Sequence, residues 1–190
     1  MRIIAGLAKG RTLSTIAGAT RPTSDRAREG LFSSLLSEFG DFVGLNVLDL
    51  FAGSGAIGLE ALSRGAQIVH AVEKDESAIH TIKTNSDLVS KSGTTGTFHA
   101  YSMSALKFLE GVAPSQYDIV YVDPPYDFSD VELYKCLVRL REAEFLKSGA
   151  VVAIERANRG AEIKWPGGYE PLRQRKYGQA VIYYGKVADN

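Results

Sequence analysis

Residues 46–66 place an apolar strand (Asn46-Val47-Leu48-Asp49-Leu50-Phe51), a glycine-rich turn and an apolar helix in direct succession. Gly53, Gly55 and Gly58 stand in the order G-x-G-x-x-G. In that spacing the first glycine permits a tight turn, the second a close approach of a ligand to the backbone, and the third close packing of helix on strand. Ile57, Leu59 and Leu62 fall on the inward face of the helix. A strand that feeds a helix through so short a turn belongs to an α/β fold with a parallel sheet.

The rest of the chain repeats the alternation. Strands are expected at 46–51, 68–73, 95–101, 117–123 and 149–156, with helices between them, so the sheet core is parallel and right-handed crossovers put a ligand crevice at the carboxyl ends of the strands. Upstream, Ile3-Ile4 and Thr12-Leu13 flank a turn at Gly10 and suggest a β-hairpin. A helix begins near Ser24, an apt N-cap, with Asp25 in its first turn and Leu31, Phe32, Leu35 and Leu36 as its apolar face. After residue 160 the helices stop. Glu162-Ile163-Lys164-Trp165, a Pro166-Gly167-Gly168 turn and Ala180-Val181-Ile182-Tyr183-Tyr184 read as short strands, consistent with an antiparallel hairpin that closes the sheet. Trp165, Tyr183 and Tyr184 read as packing residues.

With 190 residues, 45% of them hydrophobic, the chain has room for one domain with a substantial core and none for a separate substrate domain. It carries no run of 18 apolar residues and no signal-like start, so a cytoplasmic protein with no membrane partner is expected. The lone Cys136 lies among Leu133, Leu137 and Leu140 at helical spacing and reads as core. His70, His80 and His99 lack metal-ligand spacing, and no metal site is expected.

Three acidic residues define the chemistry. Asp49 precedes Gly53 by four positions, at the strand end that faces the crevice, where its carboxylate would repel a pyrophosphate and favour a ligand with an ammonium or sulfonium group. Glu73 ends the next strand, twenty residues beyond Gly53, where it could accept both hydroxyls of a ribose. Asp123-Pro124-Pro125-Tyr126 follows the apolar run Ile119-Val120-Tyr121-Val122. Two prolines remove backbone donors and leave bare carbonyls, Asp123 adds a carboxylate acceptor, and Tyr126 offers a face for a planar base. An ordinary turn capped by Asp123 is the other reading of that tetrapeptide. S-adenosylmethionine, with adenosine, sulfonium and amino acid but no phosphate, fits these features.

Asp49-Leu50-Phe51-Ala52-Gly53-Ser54-Gly55, Glu73 and Asp123-Pro124-Pro125-Tyr126 resemble the motifs of Rossmann-like class I N-methyltransferases that act on exocyclic amines. Arg2-Ile3-Ile4-Ala5-Gly6, Gly10-Arg11 and the segment from Arg21-Pro22-Thr23-Ser24-Asp25-Arg26 to Phe32 resemble the opening of the RsmD family, bacterial 16S ribosomal RNA guanine-N2 methyltransferases, and the similarity runs to Tyr177-Gly178. The resemblance implies a mostly parallel seven-stranded sheet with an antiparallel C-terminal hairpin. It also implies S-adenosyl-L-methionine as cofactor and guanine 966 of 16S rRNA as target, in the small subunit or an assembly intermediate. Cofactor contacts are then expected from Asp49, Phe51, Ala52, Gly53, Ser54, Gly55, Gly58, Glu73, Lys74, Ser104 and Ala105. Ser104 stands where relatives carry Asp or Asn for the adenine. Catalysis is expected from Asp123, Pro124, Pro125 and Tyr126.

The net charge is zero, yet residues 1–35 hold Arg2, Lys9, Arg11, Arg21, Arg26 and Arg28 against Asp25 and Glu29, a local +4. Residues 1–40 therefore read as a basic RNA-binding extension, with Thr23 beside Arg21 at the helix start, and 41–190 as the catalytic core of a single domain expected to be monomeric. That extension has no evident role in the fold of the core. Other readings are a methyltransferase for another planar amine (a DNA base or protein glutamine), a nicotinamide-dependent reductase, or a catalytically silent RNA-binding protein.

Overall fold

The computed structural model describes residues 1–16, 24–125, 127–158 and 162–188; Arg21, Thr23 and Tyr126 lie outside the described residues. In chain order the elements are α1 (Asp25–Phe39), β1 (Asn46–Leu50), α2 (Ala56–Ser63), β2 (Ile68–Glu73), α3 (Glu76–Ser90), β3 (Thr97–Ser102), α4 (Ala105–Glu110), β4 (Tyr117–Val122), α5 (Asp130–Glu142), β5 (Leu146–Ala157), β6 (Tyr169–Tyr177) and β7 (Ala180–Val187).

The strands form one seven-stranded sheet in the order β3-β2-β1-β4-β5-β7-β6. β1 pairs in parallel with β2 and β4, β2 with β3, and β4 with β5, whereas β7 runs antiparallel to both β5 and β6. The strand order reverses between β1 and β4, which is where an open α/β sheet splits its loops apart and leaves a crevice. β1 and β4 are central and covered on both faces, which is why they read as nearly continuous apolar runs. One face carries a core from α1, α2 and α3, with Leu31, Phe32, Leu59, Leu62 and Val89 buried; the other carries α4 and α5 through Phe108, Leu109, Leu133, Cys136 and Leu137. Helix starts follow their caps: Ser24, Asp75, Ser104 and Ser129 each accept a backbone N–H from the first turn.

The N-terminal segment is built into this core. Ile3, Ala8 and Leu13 are buried. Residues 1–13 double back as the short antiparallel hairpin expected, with Leu13 N–H donating to the Met1 carbonyl (2.8 Å), Ile3 N–H to that of Arg11 (2.9 Å) and Gly10 N–H to that of Ile3 (2.9 Å) around an Arg2–Thr12 bridge. The turn between the two arms bonds to α2. Glu60, wholly buried, accepts from the N–H groups of Ile4 (2.7 Å) and Ala5 (3.0 Å) and from Nε of Arg64 (2.8 Å). Ser63 accepts from Ala8 N–H and donates to the Ala5 carbonyl. Asn85 of α3 grips both N–H and carbonyl of Ser14 and donates to the carbonyl of Ser54 in the glycine turn. The expectation that the extension has no role in the fold fails on these contacts. Glu60→Ala would strand two half-buried backbone donors and the half-buried Arg64, and is expected to lower unfolding free energy by about 3 kcal/mol in urea titration with m unchanged. A loss below about 0.5 kcal/mol would mean that Glu60 does not anchor the segment.

A second difference lies at the C-terminus. Glu162–Trp165 is not a strand; Ile163 and Trp165 pack onto the α4 and α5 face without ladder pairing, and the Trp165 ring lies over Gly185. Their two-residue alternation is satisfied by packing alone. The strand is β6, whose charged sequence suits a sheet edge with one neighbour. Tyr184 is buried and Tyr183 half-buried, in line with packing roles.

Candidate active site

A crevice of about 670 Å³ opens at the carboxyl ends of the parallel strands. Its wall takes Phe51 and Gly53 from the β1 turn, Val72 and Glu73 from β2 with Lys74 just after it, Met103 to Leu106 after β3, Asp123 to Pro125 after β4, and Glu155 to Ala157 at the end of β5. Side chains from five successive strand ends thus meet at one site, as the topology requires.

The glycine turn is shaped from below by Asp49. Its carboxylate is buried, and Oδ2 accepts the N–H of Gly58 at 3.0 Å. A Cβ at Gly58 would stand 2.9 Å from Val69, so glycine is needed for α2 to sit this close to β2. Gly53 and Gly55 have φ of 55° and 78°, and Phe51 is itself at 62°, a conformation rare for an aromatic residue. Burial pushes the Asp49 carboxyl up to about 7, against the Gly58 N–H, which favours the anion, and with the Glu73 charge adding to the rise.

Glu73 is more committed than its sequence position suggests. Oε2 accepts from Gly53 N–H (2.9 Å), and Oε1 from the N–H groups of Lys74 (2.7 Å) and Asp75 (2.9 Å). These occupy three of about four acceptor directions of a carboxylate, which leaves one direction for an outside donor while Glu73 holds the turn. Ser104 caps α4, its hydroxyl accepting from Lys107 N–H at 3.3 Å and keeping its own proton to donate. Ala105 is buried beside it.

At the end of β4, Asp123 follows Val122, which pairs with Leu50 on one side and Ile154 on the other. Asp123 therefore stands between the β1 turn and Glu155. Pro124 is buried and Pro125 exposed; the Pro125 carbonyl accepts from Phe128 N–H (3.0 Å), so it is not one of the bare acceptors expected from the sequence. Phe128 meets Phe51 edge-on, ring centres 4.9 Å apart, and closes the crevice on that side. Arg156 fixes that loop by donating to the Phe128 carbonyl (3.1 Å) and to Asp130 (2.9 Å).

The sequence reading did not single out Glu155, Arg156 or Phe128. The buried Tyr121 hydroxyl donates to Glu155 Oε2 at 2.7 Å, which orients that carboxylate beside Asp123. Glu60 and Asn85 were also passed over; a lone polar residue inside an apolar helical stretch was their only sequence signal.

Of the basic residues expected to face RNA, Arg2, Lys9, Arg11 and Arg26 are exposed, and Arg11 Nε donates to Ser92 (3.2 Å). Arg28 is not. It has 0% exposure and points inward from α1, where the apolar face of the helix, Leu31, Phe32 and Leu35, carries it into the core. A phosphate on a nucleic acid backbone cannot reach it. Arg175 and Lys176 on the edge strand β6 are further exposed cations, outside the N-terminal group. β6 runs beside α1, with Tyr177 over Gly30 and Arg173 paired to Glu38.

Among the described residues no group of three or more potential metal ligands is found, and no helix is long and apolar enough to cross a membrane.

Comparison with known proteins gives consistent relatives. The family profile described as conserved hypothetical protein 95 matches residues 1–186. The chain is 35% identical over 157 residues to ribosomal RNA small subunit methyltransferase D of Haemophilus influenzae, covering 82% of the chain and 78% of the relative. It is 32% identical over 182 residues to the Escherichia coli protein of the same name, covering 95% and 87%. The solved structure of yhhF from Escherichia coli superposes with a TM-score of 0.84 at 28% identity, covering 100% of this chain and 99% of that one. A magnesium protoporphyrin IX methyltransferase from Synechocystis, solved with S-adenosylmethionine bound, shares the fold at a TM-score of 0.66 and 15% identity, over 86% of this chain and 79% of that one.

Proposed function

The chain belongs to the family described as conserved hypothetical protein 95, the RsmD family, and from that premise we propose that it methylates the exocyclic N2 amine of a guanine in small-subunit ribosomal RNA, with guanine 966 as the target the family resemblance implies. The coarser assignment, an S-adenosylmethionine-dependent rRNA methyltransferase, follows from the family together with the seven-stranded sheet.

The observation that carries the reading is the placement of Asp123 and Pro124 at the strand end between the glycine turn and Glu155. The crevice suits S-adenosylmethionine. Glu73, Asp123 and Glu155 line it and Asp49 lines the adjoining cavity, carboxylates that would repel a dinucleotide pyrophosphate and accommodate a sulfonium. This argues against a nicotinamide reductase. Asp49 would face the cationic part of the cofactor, Glu73 the ribose, and Ser104 and Ala105 the adenine. Phe51, Ala52, Ser54, Gly55 and Lys74 frame the turn between them. When bound, the cofactor supplies an electrophilic methyl on a sulfonium.

The protein's own contribution is to position and polarise the amine. Asp123 and the Pro124 carbonyl accept the two N–H bonds of the amine, which turns the nitrogen lone pair out of ring conjugation and toward the methyl. Tyr126, outside the described residues, takes the stacking role that the resemblance gives it. The base has to leave its neighbours to enter. Glu155 favours guanine over adenine: guanine offers N1–H and N2–H donors side by side, whereas adenine would bring its N1 lone pair against an acceptor-only carboxylate. Arg2, Lys9, Arg11 and Arg26, with Arg175 and Lys176, give the RNA backbone exposed cations.

The substrate class is tested by incubating the protein and methyl-tritiated S-adenosylmethionine with small and large ribosomal subunits from cells that lack the protein. Label is expected in the RNA of the small subunit alone. Label in large-subunit RNA or in ribosomal protein would overturn the reading.

A further inference from the structure

Arg28 leaves its interior position incompletely satisfied. Nη2 donates to the Arg2 carbonyl at 2.9 Å and to Asp25 Oδ1 at 2.7 Å. Nε and Nη1 are buried without a hydrogen-bond partner among the described residues, so three of the five N–H bonds of the guanidinium are unpaired. Buried cations are rarely left so, because each unpaired donor has lost water and gained nothing. An acceptor that is not part of the chain fits this vacancy in the bonding.

The same side chain lines a second cavity, of about 240 Å³, together with Asp49, Gly53, Ser54, Tyr121 and Asp123. This cavity shares Phe51, Gly53 and Asp123 with the large crevice, so the two meet at the glycine turn. Its size suits a small group rather than a nucleotide. Its lining pairs one cation with carboxylates, which disfavours a phosphate and favours a zwitterion. We propose that this cavity holds the amino-acid tail of S-adenosylmethionine, with Nε or Nη1 of Arg28 donating to the α-carboxylate and Asp49 facing the α-ammonium.

The assignment rests on the cofactor reading above and adds a residue that α1, outside the glycine turn and the sheet, brings to the cofactor. It also explains why the N-terminal segment is fastened so firmly. Met1, Thr15 and Ile16 wall the cavity, and the Arg2 carbonyl steadies the guanidinium, so residues 1–16 complete the cofactor site as well as carrying exposed cations.

The test is calorimetric binding of S-adenosylmethionine and of its decarboxylated form, which keeps sulfonium and amine but lacks the carboxylate, to the wild-type chain and to Arg28→Met and Arg28→Lys. The wild type is expected to prefer S-adenosylmethionine by on the order of fiftyfold, the worth of a charge-assisted hydrogen bond. Arg28→Met is expected to lose that preference with affinity for the decarboxylated form unchanged, and Arg28→Lys to keep part of it. A wild type that binds both forms equally overturns the role of Arg28 without recourse to any variant, and so does a variant in which both affinities fall together. A wild type that binds neither overturns the cofactor reading itself.

Discussion

Asp123→Ala is expected to lower methyl transfer to RNA by about a thousandfold, because under the proposed mechanism it removes the acceptor that positions the reacting amine. Cofactor affinity should fall by about tenfold at most, the share of one carboxylate in the lining, since most of the loss falls on the transition state rather than on binding. Single-turnover transfer and cofactor titration on the same preparation separate the two. Asp123→Asn sharpens the result. It keeps an acceptor oxygen at the same place without the charge, so it should retain most of the rate if Asp123 acts by accepting a hydrogen bond. A variant as inactive as alanine would assign Asp123 instead to proton removal, and a loss shared equally between transfer and cofactor binding would remove it from the chemistry.

Asp49→Asn is expected to stabilise the ligand-free protein and to weaken it as a cofactor binder. The folded state holds the Asp49 proton up to about pH 7, whereas an unfolded chain releases it near 3.8. Between those values the folded state binds more protons, so this group's contribution to stability falls as pH rises through the window and is lost above the folded value. Near pH 8 the buried anion is a liability on the order of 2–4 kcal/mol, which an isosteric amide relieves. Denaturant unfolding should show the variant more stable near pH 8 and indistinguishable from wild type near pH 4. Its cofactor affinity should be at least about tenfold weaker at pH 8, where the wild-type carboxylate is charged, and should lose the decline below pH 7 expected of wild type. Equal stability at both pH values would show that Asp49 carries no such strain.

Much of this arrangement was legible in the chain. The parallel strands announce themselves because strands covered on both faces must be apolar throughout, as β1 and β4 are. The glycine spacing, Glu73 and Asp123 sit at strand ends that the topology then brings to one crevice, and Asp49 lines the cavity that adjoins it. What escaped was set by tertiary packing. β6 shows little alternation because it lies at an edge, while Ile163 and Trp165 alternate yet form no ladder. The N-terminal segment looked like an appendage because its hydrogen bonds run to Glu60, Ser63 and Asn85, more than fifty residues away. Arg28 was grouped by its charge with the exposed arginines, although its spacing from Leu31, Phe32 and Leu35 already put it on the buried face of α1. Glu155 carried no local signal at all; its place beside Asp123 follows from strand register.

The most direct measurement is identification of the methylated nucleoside. Small-subunit RNA from cells lacking the protein, treated with the purified chain and S-adenosylmethionine, is digested and resolved by mass spectrometry. N2-methylguanosine that appears with the wild type and is absent with Asp123→Ala is the expected result. Methylation of another nucleoside, or of the guanine ring at a position other than N2, would contradict the assignment of Asp123 and Glu155 to the guanine amine edge.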